Sequence, residues 1–138
     1  MAAYWLVKSE PGAWSWDDHV KKGVEHWDGV RNHQAAINLK TMKVGDKAFF
    51  YHSVNEKAVV GTLEVVKEAY PDPSDTSGRF VMVDFKALKP LKRPVTLAEV
   101  KAEPGLEEIA LVRQSRLSVM PVDPAEWKLI NEMAKRRA

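Results

Sequence analysis

The sequence predicts an α+β domain: a mixed or antiparallel sheet curled into a small β-barrel, with helices packed at its edges. Three observations carry this. Strand-like runs crowd the middle of the chain, helix signatures gather at its start and end, and the two kinds do not alternate regularly, which argues against a doubly wound sheet. The chain has 138 residues, one domain's worth, so residues 1–138 are read as a single domain with one core.

Residues 3–8 (AYWLVK) are aromatic, β-branched and apolar, and form the first strand. SEPGA breaks it. A short helix follows from Ser15, a natural N-cap, with Asp17 and Asp18 in the first turn where the helix dipole favours anions, and Gly23 ends it. WDGV at 27–30 is turn-like, and residues 32–43 carry good helix formers up to a stop at Gly45. Three strands follow, at 46–53, 58–70 and 79–88, the last two separated by the Pro-, Asp- and Gly-punctuated PDPSDTSG. In the third, Val81, Val83, Phe85 and Ala87 share a face. Thr96 and Glu99 make a capping box, with Val95 and Val100 as a hydrophobic staple. Asp123, Pro124 and Glu126 repeat the device, with Val122 and Trp127 as the staple, and Trp127, Ile130 and Ala134 continue at helical spacing. Between these two helices QSRLSVMPV reads as the last strand.

Composition excludes several functions. There is no cysteine, hence no disulfide framework and no thiolate metal site. That fits a reducing compartment, and with neither a signal peptide nor a membrane-length apolar run the chain is expected to be soluble, cytoplasmic and off the membrane. The four histidines, His19, His26, His33 and His52, form no HExxH, and no metal is expected. GxSxG, GxGxxG and the P-loop pattern are absent, and His52 and Ser53, neighbours in a strand, face opposite ways. The net charge of +2 is small, so a nucleic-acid partner would have to be held partly by a shaped pocket.

Four segments mix aromatic, small and hydrogen-bonding residues at the ends of predicted elements, where binding residues collect: KSEP (8–11), WDGVRN (27–32), FFYHS (49–53) and VRQSRLSV (112–119). Each residue has a plainer alternative. Trp27 and Tyr51 could be core aromatics, Arg31 and Asn32 a solvated helix start, Arg113 and Arg116 a solvated strand end, and Ser9, Ser53, Ser115 and Ser118 are individually uninformative. On composition and spacing alone the reading stops at an α+β domain with a binding pocket.

The motifs together go further. YWLVKSEP (4–11), WDGVRNHQA (27–35), MKVGDKAFFYHS (42–53), VGTLEVVKEAYPDP (60–73), PVTLAEVK (94–101) and LVRQSRLSVMPVDPAEW (111–127) resemble the EVE domain, a member of the PUA-like group. The departures are a short loop at 71–80, His33 where Tyr is common, and Gln114 where Arg or Gly is usual. The first two bear on the rim of the pocket and its ligand. The resemblance implies a PUA-like small β-barrel with flanking helices and a pocket built from the four segments. EVE domains resemble YTH domains, which read a methylated adenine in an aromatic cage; the counterparts here are Lys8, Ser9, Trp27 and Asn32. EVE domains themselves are associated with modified bases, notably 5-substituted cytosine in DNA, and with modified RNA.

The resemblance therefore implies a non-catalytic reader, monomeric and without a cofactor, whose partner is DNA or RNA bearing a modified base. An extruded base costs a few kcal/mol to unstack, and stacking on aromatic rings returns about 1–3 kcal/mol. Trp27 and Tyr51 are the expected walls and Leu117 the contact to a base methyl group. Asn32, Ser9, His52, Ser53 and groups near Ser115 and Ser118 face the base edge. Lys8, Arg31, Arg113 and Arg116 hold phosphates, which position the strand while base contacts specify it. Two other readings compete. A sensor of a free base-like molecule would bind independently of salt. An enzyme of nucleic-acid metabolism would need Glu10 or Asp28 as general base.

Overall fold

The structure is a computed structural model describing residues 3–54 and 57–136. Its elements run β1 (Tyr4–Ser9), α1 (Trp16–Lys22), β2 (Val24–Trp27), α2 (His33–Thr41), β3 (Lys47–His52), β4 (Ala58–Pro71), β5 (Val81–Thr96), α3 (Leu97–Ala102), α4 (Ala110–Arg113), β6 (Val119–Val122) and α5 (Pro124–Met133). The six strands form one sheet in the order β2-β5-β4-β3-β1-β6. β1 and β3 are parallel, and the other neighbours are antiparallel. The α+β class is as expected, but the barrel is not: β2 and β6 are the two ends of an open sheet and do not pair with each other.

Consecutive apolar residues in the central strands follow from cover on both faces. Successive side chains of a strand point to opposite sides, yet Leu6 and Val7 of β1 are both fully buried, as are Phe49 and Phe50 of β3. On one face Trp127 of α5 stacks on Phe49 at 4.1 Å and on Tyr4 at 4.5 Å. On the other, Trp16 of α1 meets Phe50 edge-on at 5.5 Å. Trp16 also covers Gly61 of β4 so closely that a Cβ there would lie 2.6 Å from its ring.

Polar groups lock the ends of elements. The buried carboxylate of Asp46 accepts from the Trp5 indole and from the Ala3 and Lys43 backbone N–H groups, each at 3.0 Å. The capping boxes form as expected: Thr96 Oγ1 accepts from Glu99 N while Glu99 accepts from Thr96 N, and Glu126 reaches back to Asp123 N. Ser15 and Asp18 form a third.

Three elements differ from expectation. β2 falls where the sequence predicts no element before the turn at 27–30; it is a four-residue edge strand in which only Trp27 is buried, too short and too charged to alternate visibly. β5 runs on to Thr96 through Pro90 and Pro94, and its register with β4 shifts there, as proline requires because it cannot donate to a ladder. The expected strand 114–122 pairs only over Val119–Val122. The preceding Arg-Gln-Ser-Arg run gives a strand nothing to bury; a helical turn ends there instead, closed by the Leu117 N–H on the Gln114 carbonyl at 2.9 Å.

Candidate nucleic-acid interface

Three adjoining depressions lie along the ends of β1 and β3. The largest, about 500 Å³, is lined by Lys8, Ser9 and Glu10 at the end of β1, Ala13 and Trp14 in the following turn, and Glu25, His26, Trp27 and Asp28 on and after β2. Lys8 also lines a second, of about 240 Å³, with Tyr51, Ser53, Lys57 and Ser115. Ser115 leads into a third, of about 330 Å³, with Asn32, Gln34, Arg116 and Leu117. The four segments are thus brought to one region, where Trp27 and Tyr51 line different depressions joined through Lys8.

Local chemistry sets each wall. The Ser9 hydroxyl donates to the Trp14 carbonyl, and Glu10 O accepts from the Ala13 and Trp14 N–H groups at 2.9 Å, so the turn after β1 is closed on itself. Trp27 is 8% exposed and stands edge-on to Phe50 and Phe85, so it is both a core aromatic and a cavity wall. The turn after it needs the left-handed backbone that glycine adopts freely, with φ 75° at Gly29. The Gly29 N–H donates to Asp72 at 2.8 Å. Burial pushes the Asp72 carboxyl up, but hydrogen bonds from Ser74, the Gly29 N–H and Arg31 outweigh it and hold the group at about 2. Asp72 thereby ties the 71–80 loop to the rim.

The remaining expected site residues divide into two groups. Lys8 Nζ donates to the Ser115 carbonyl at 2.8 Å and lies 5.8 Å from the Tyr51 ring, and burial lowers its pKa. Burial raises that of the Tyr51 phenol. Asn32 caps α2, its side chain accepting from Ala35 N at 2.9 Å. Leu117 is buried at the foot of its depression, and Arg116 is exposed at the edge. The other group is engaged elsewhere. Arg31 pairs with Asp72 at 3.2 Å, bonds Ser74 and lies over Phe80. His52 accepts from the Trp16 N–H at 3.0 Å, an otherwise free donor at the start of α1. Arg113 pairs with the exposed Glu108 at 3.1 Å. Ser118 takes part through its backbone, its carbonyl accepting from Lys8 N at 2.9 Å.

The sequence reading did not single out Trp14, Glu25, His26 or Lys57. Trp14 was legible as an aromatic directly after the strand break SEPGA; Glu25 and His26 were hidden because β2 was. His26 bridges two acids, with Nδ1 2.9 Å from Glu25 and Nε2 3.7 Å from Asp28. Among the described residues no cluster of His, Asp and Glu is built to hold a metal, and no helix is long and apolar enough to cross a membrane.

This α+β fold, a six-stranded sheet flanked by helices, is shared with proteins of known structure. The EVE domain profile matches residues 3–133, and the chain belongs to the EVE domain family. Human thymocyte nuclear protein 1 is 32% identical over 99% of this chain and 76% of its own length. The solution structure of a Rhodopseudomonas palustris protein is 59% identical, covers 97% of this chain and 94% of its own, and superposes with a TM-score of 0.92. The crystal structure of the human thymocyte protein in complex with 5-methylcytosine-containing DNA superposes at 0.91, with 32% identity over 99% of this chain and all of that one.

Proposed function

We propose that the chain is a non-catalytic nucleic-acid-binding module that takes a modified base, a 5-substituted cytosine in DNA or a modified base in RNA, into the cavity between β1 and β2. The observation that carries this is the cavity itself: about 500 Å³, with the indoles of Trp14 and Trp27 among its walls and carboxylates at Glu10, Glu25 and Asp28. That volume suits a small ring. Indoles stack on any base, and carboxylates accept from an exocyclic amine such as that of cytosine. Three acids beside two basic groups make a poor seat for phosphate. The cations that suit the strand, Lys57 and Arg116, line the adjoining depressions, with Lys8 between. Base and backbone would then occupy neighbouring sites, the base specifying and the phosphates positioning. The human relative's complex with 5-methylcytosine DNA supports the same reading.

The acidic lining also favours a second reading, a sensor for a free, uncharged ring. One titration separates them. Short DNA and RNA, single- and double-stranded, with and without 5-methylcytosine, are titrated at two salt concentrations against wild type and Trp14→Ala. The reader binds the modified oligonucleotide more tightly, weakens as salt rises, and loses affinity in the variant. Binding of free 5-methylcytosine with no oligonucleotide binding would leave the sensor.

A further inference from the structure

His19 is a buried polar side chain that the base-binding reading does not use. It sits in α1 with no solvent exposure, among Trp14, Trp27 and Phe50 with ring centroids 5.9, 6.0 and 5.9 Å away. Both its nitrogens are occupied. Nε2 lies 2.8 Å from the Phe85 carbonyl oxygen, and Nδ1 lies 3.0 Å from the Trp14 indole nitrogen. A carbonyl only accepts, so Nε2 carries the proton; an indole N–H only donates, so Nδ1 offers its lone pair. One neutral tautomer satisfies both bonds. An apolar side chain would fill the same space, but it could not set a direction. Ser9 and Glu10 fix the backbone of Trp14, and the bond to His19 fixes the rotation of its ring.

We infer that His19 is a positioning residue of the cavity: anchored on the Phe85 carbonyl of β5, it aims the indole of Trp14 and backs that of Trp27, so that both reach a bound base as fixed walls. This rests on the reading of the cavity as a base pocket. Preorganised walls bind better than ones that must be ordered on binding, so loosening Trp14 weakens binding without removing any group that touches the ligand.

The test compares wild type, His19→Leu, His19→Gln and Trp14→Phe. Glutamine retains one donor and one acceptor, whereas leucine has neither. The first readout is the nitrogen–proton NMR signal of the Trp14 indole, assigned by its loss in Trp14→Phe. The second is affinity for an oligonucleotide carrying 5-methylcytosine. In His19→Leu the indole proton shifts upfield and exchanges faster, and affinity falls about tenfold, the scale of one stacking contact. His19→Gln stays close to wild type in both. In the Trp14→Phe background His19→Leu adds little further loss, as expected of two residues acting as one unit. A folded His19→Leu protein with an unmoved indole signal, or with wild-type affinity, overturns the inference. Should His19→Leu not fold, His19→Phe, a ring of similar size with neither donor nor acceptor, takes its place in both readouts, and an unmoved indole signal or wild-type affinity in that variant overturns the inference. If wild type binds no oligonucleotide, the base-pocket reading fails and takes the inference with it; wild-type binding left unaffected by His19→Leu defeats the inference alone.

Discussion

Among the described glycines, Gly61 leaves the least room for a side chain. Gly61 carries the Trp16 indole on its α-carbon, and a methyl group would stand 2.6 Å from three ring carbons. Gly61→Ala therefore displaces Trp16, and overpacking of this kind costs about 1–3 kcal/mol, read as a lower urea midpoint with an unchanged slope. Trp27 makes the opposite point. The sequence left it open as pocket wall or core aromatic, and it is both. Its truncation to alanine, among the larger core deletions at roughly 3–5 kcal/mol, should show as a large loss in thermal stability alongside any loss of binding. Single residues are legible where chemistry is local: Ser15 precedes a helix and caps it. They are illegible where the partner is distant. Nothing in WDGVRN announces that Arg31 and Gly29 would both turn to Asp72, more than forty residues on.

Among the elements, caps were the most readable and edges the least. The Thr96–Glu99 box is a four-residue pattern and is legible in the sequence; the side chain that completes it, Arg93, is not. Arg93 sits in the irregular stretch of β5 between Pro90 and Pro94. Its Nη2 is 2.7 Å from Glu99, and it donates to the carbonyls of Met133 and Arg136 at 3.0 and 2.8 Å. One guanidinium thus joins β5, the start of α3 and the end of α5, where a cation also meets the negative end of the helix dipole. Arg93→Lys retains the charge but not the fork, so it should lose most of what Arg93→Ala loses. Both should speed hydrogen exchange in α5 before the central strands respond. The strand β2 carries no sequence signal and the turn at 114–118 carries a strand-like one for one reason. Each is short and polar, and takes its form from neighbours rather than from its own periodicity: β2 from β5, the turn from the bond that closes it.

For the whole molecule, two acid limbs are expected in stability. Burial lowers the pKa of His19 from 6.5. The unfolded chain then takes up a proton that the native state refuses, so stability is complete above 6.5 and declines as pH falls below it. The second limb comes from Asp72, and from Glu99, which its bond to Arg93 holds at about 2. Both groups stabilise the fold above their ordinary range near 4 and lose that contribution as pH falls toward 2. Urea midpoints measured across pH should show both limbs. His19→Gln should flatten the first, and Asp72→Asn should shrink the second to the share that Glu99 supplies. Nucleic-acid binding should be only mildly salt-sensitive. With about three phosphate contacts, from Lys8, Lys57 and Arg116, the slope of log affinity against log salt would be about −2 to −3. The fold class was legible because the order of strand-like and helix-like runs is written along the chain. The open sheet was not, because closure depends on whether β2 meets β6, and no local pattern encodes that.

The position of β1 in the sheet carries a consequence for how the protein is made. It is made before both of its neighbours: β3 comes some forty residues on, and β6 beyond residue 118. Until β6 is synthesised, Lys8 has neither the Ser118 carbonyl for its backbone nor the Ser115 carbonyl for its side chain. Contacts so distant along the chain make for slow folding. A nascent chain halted after β5 holds both indoles of the cavity but not the strand that completes β1, so the walls are made before the sheet edge that steadies them.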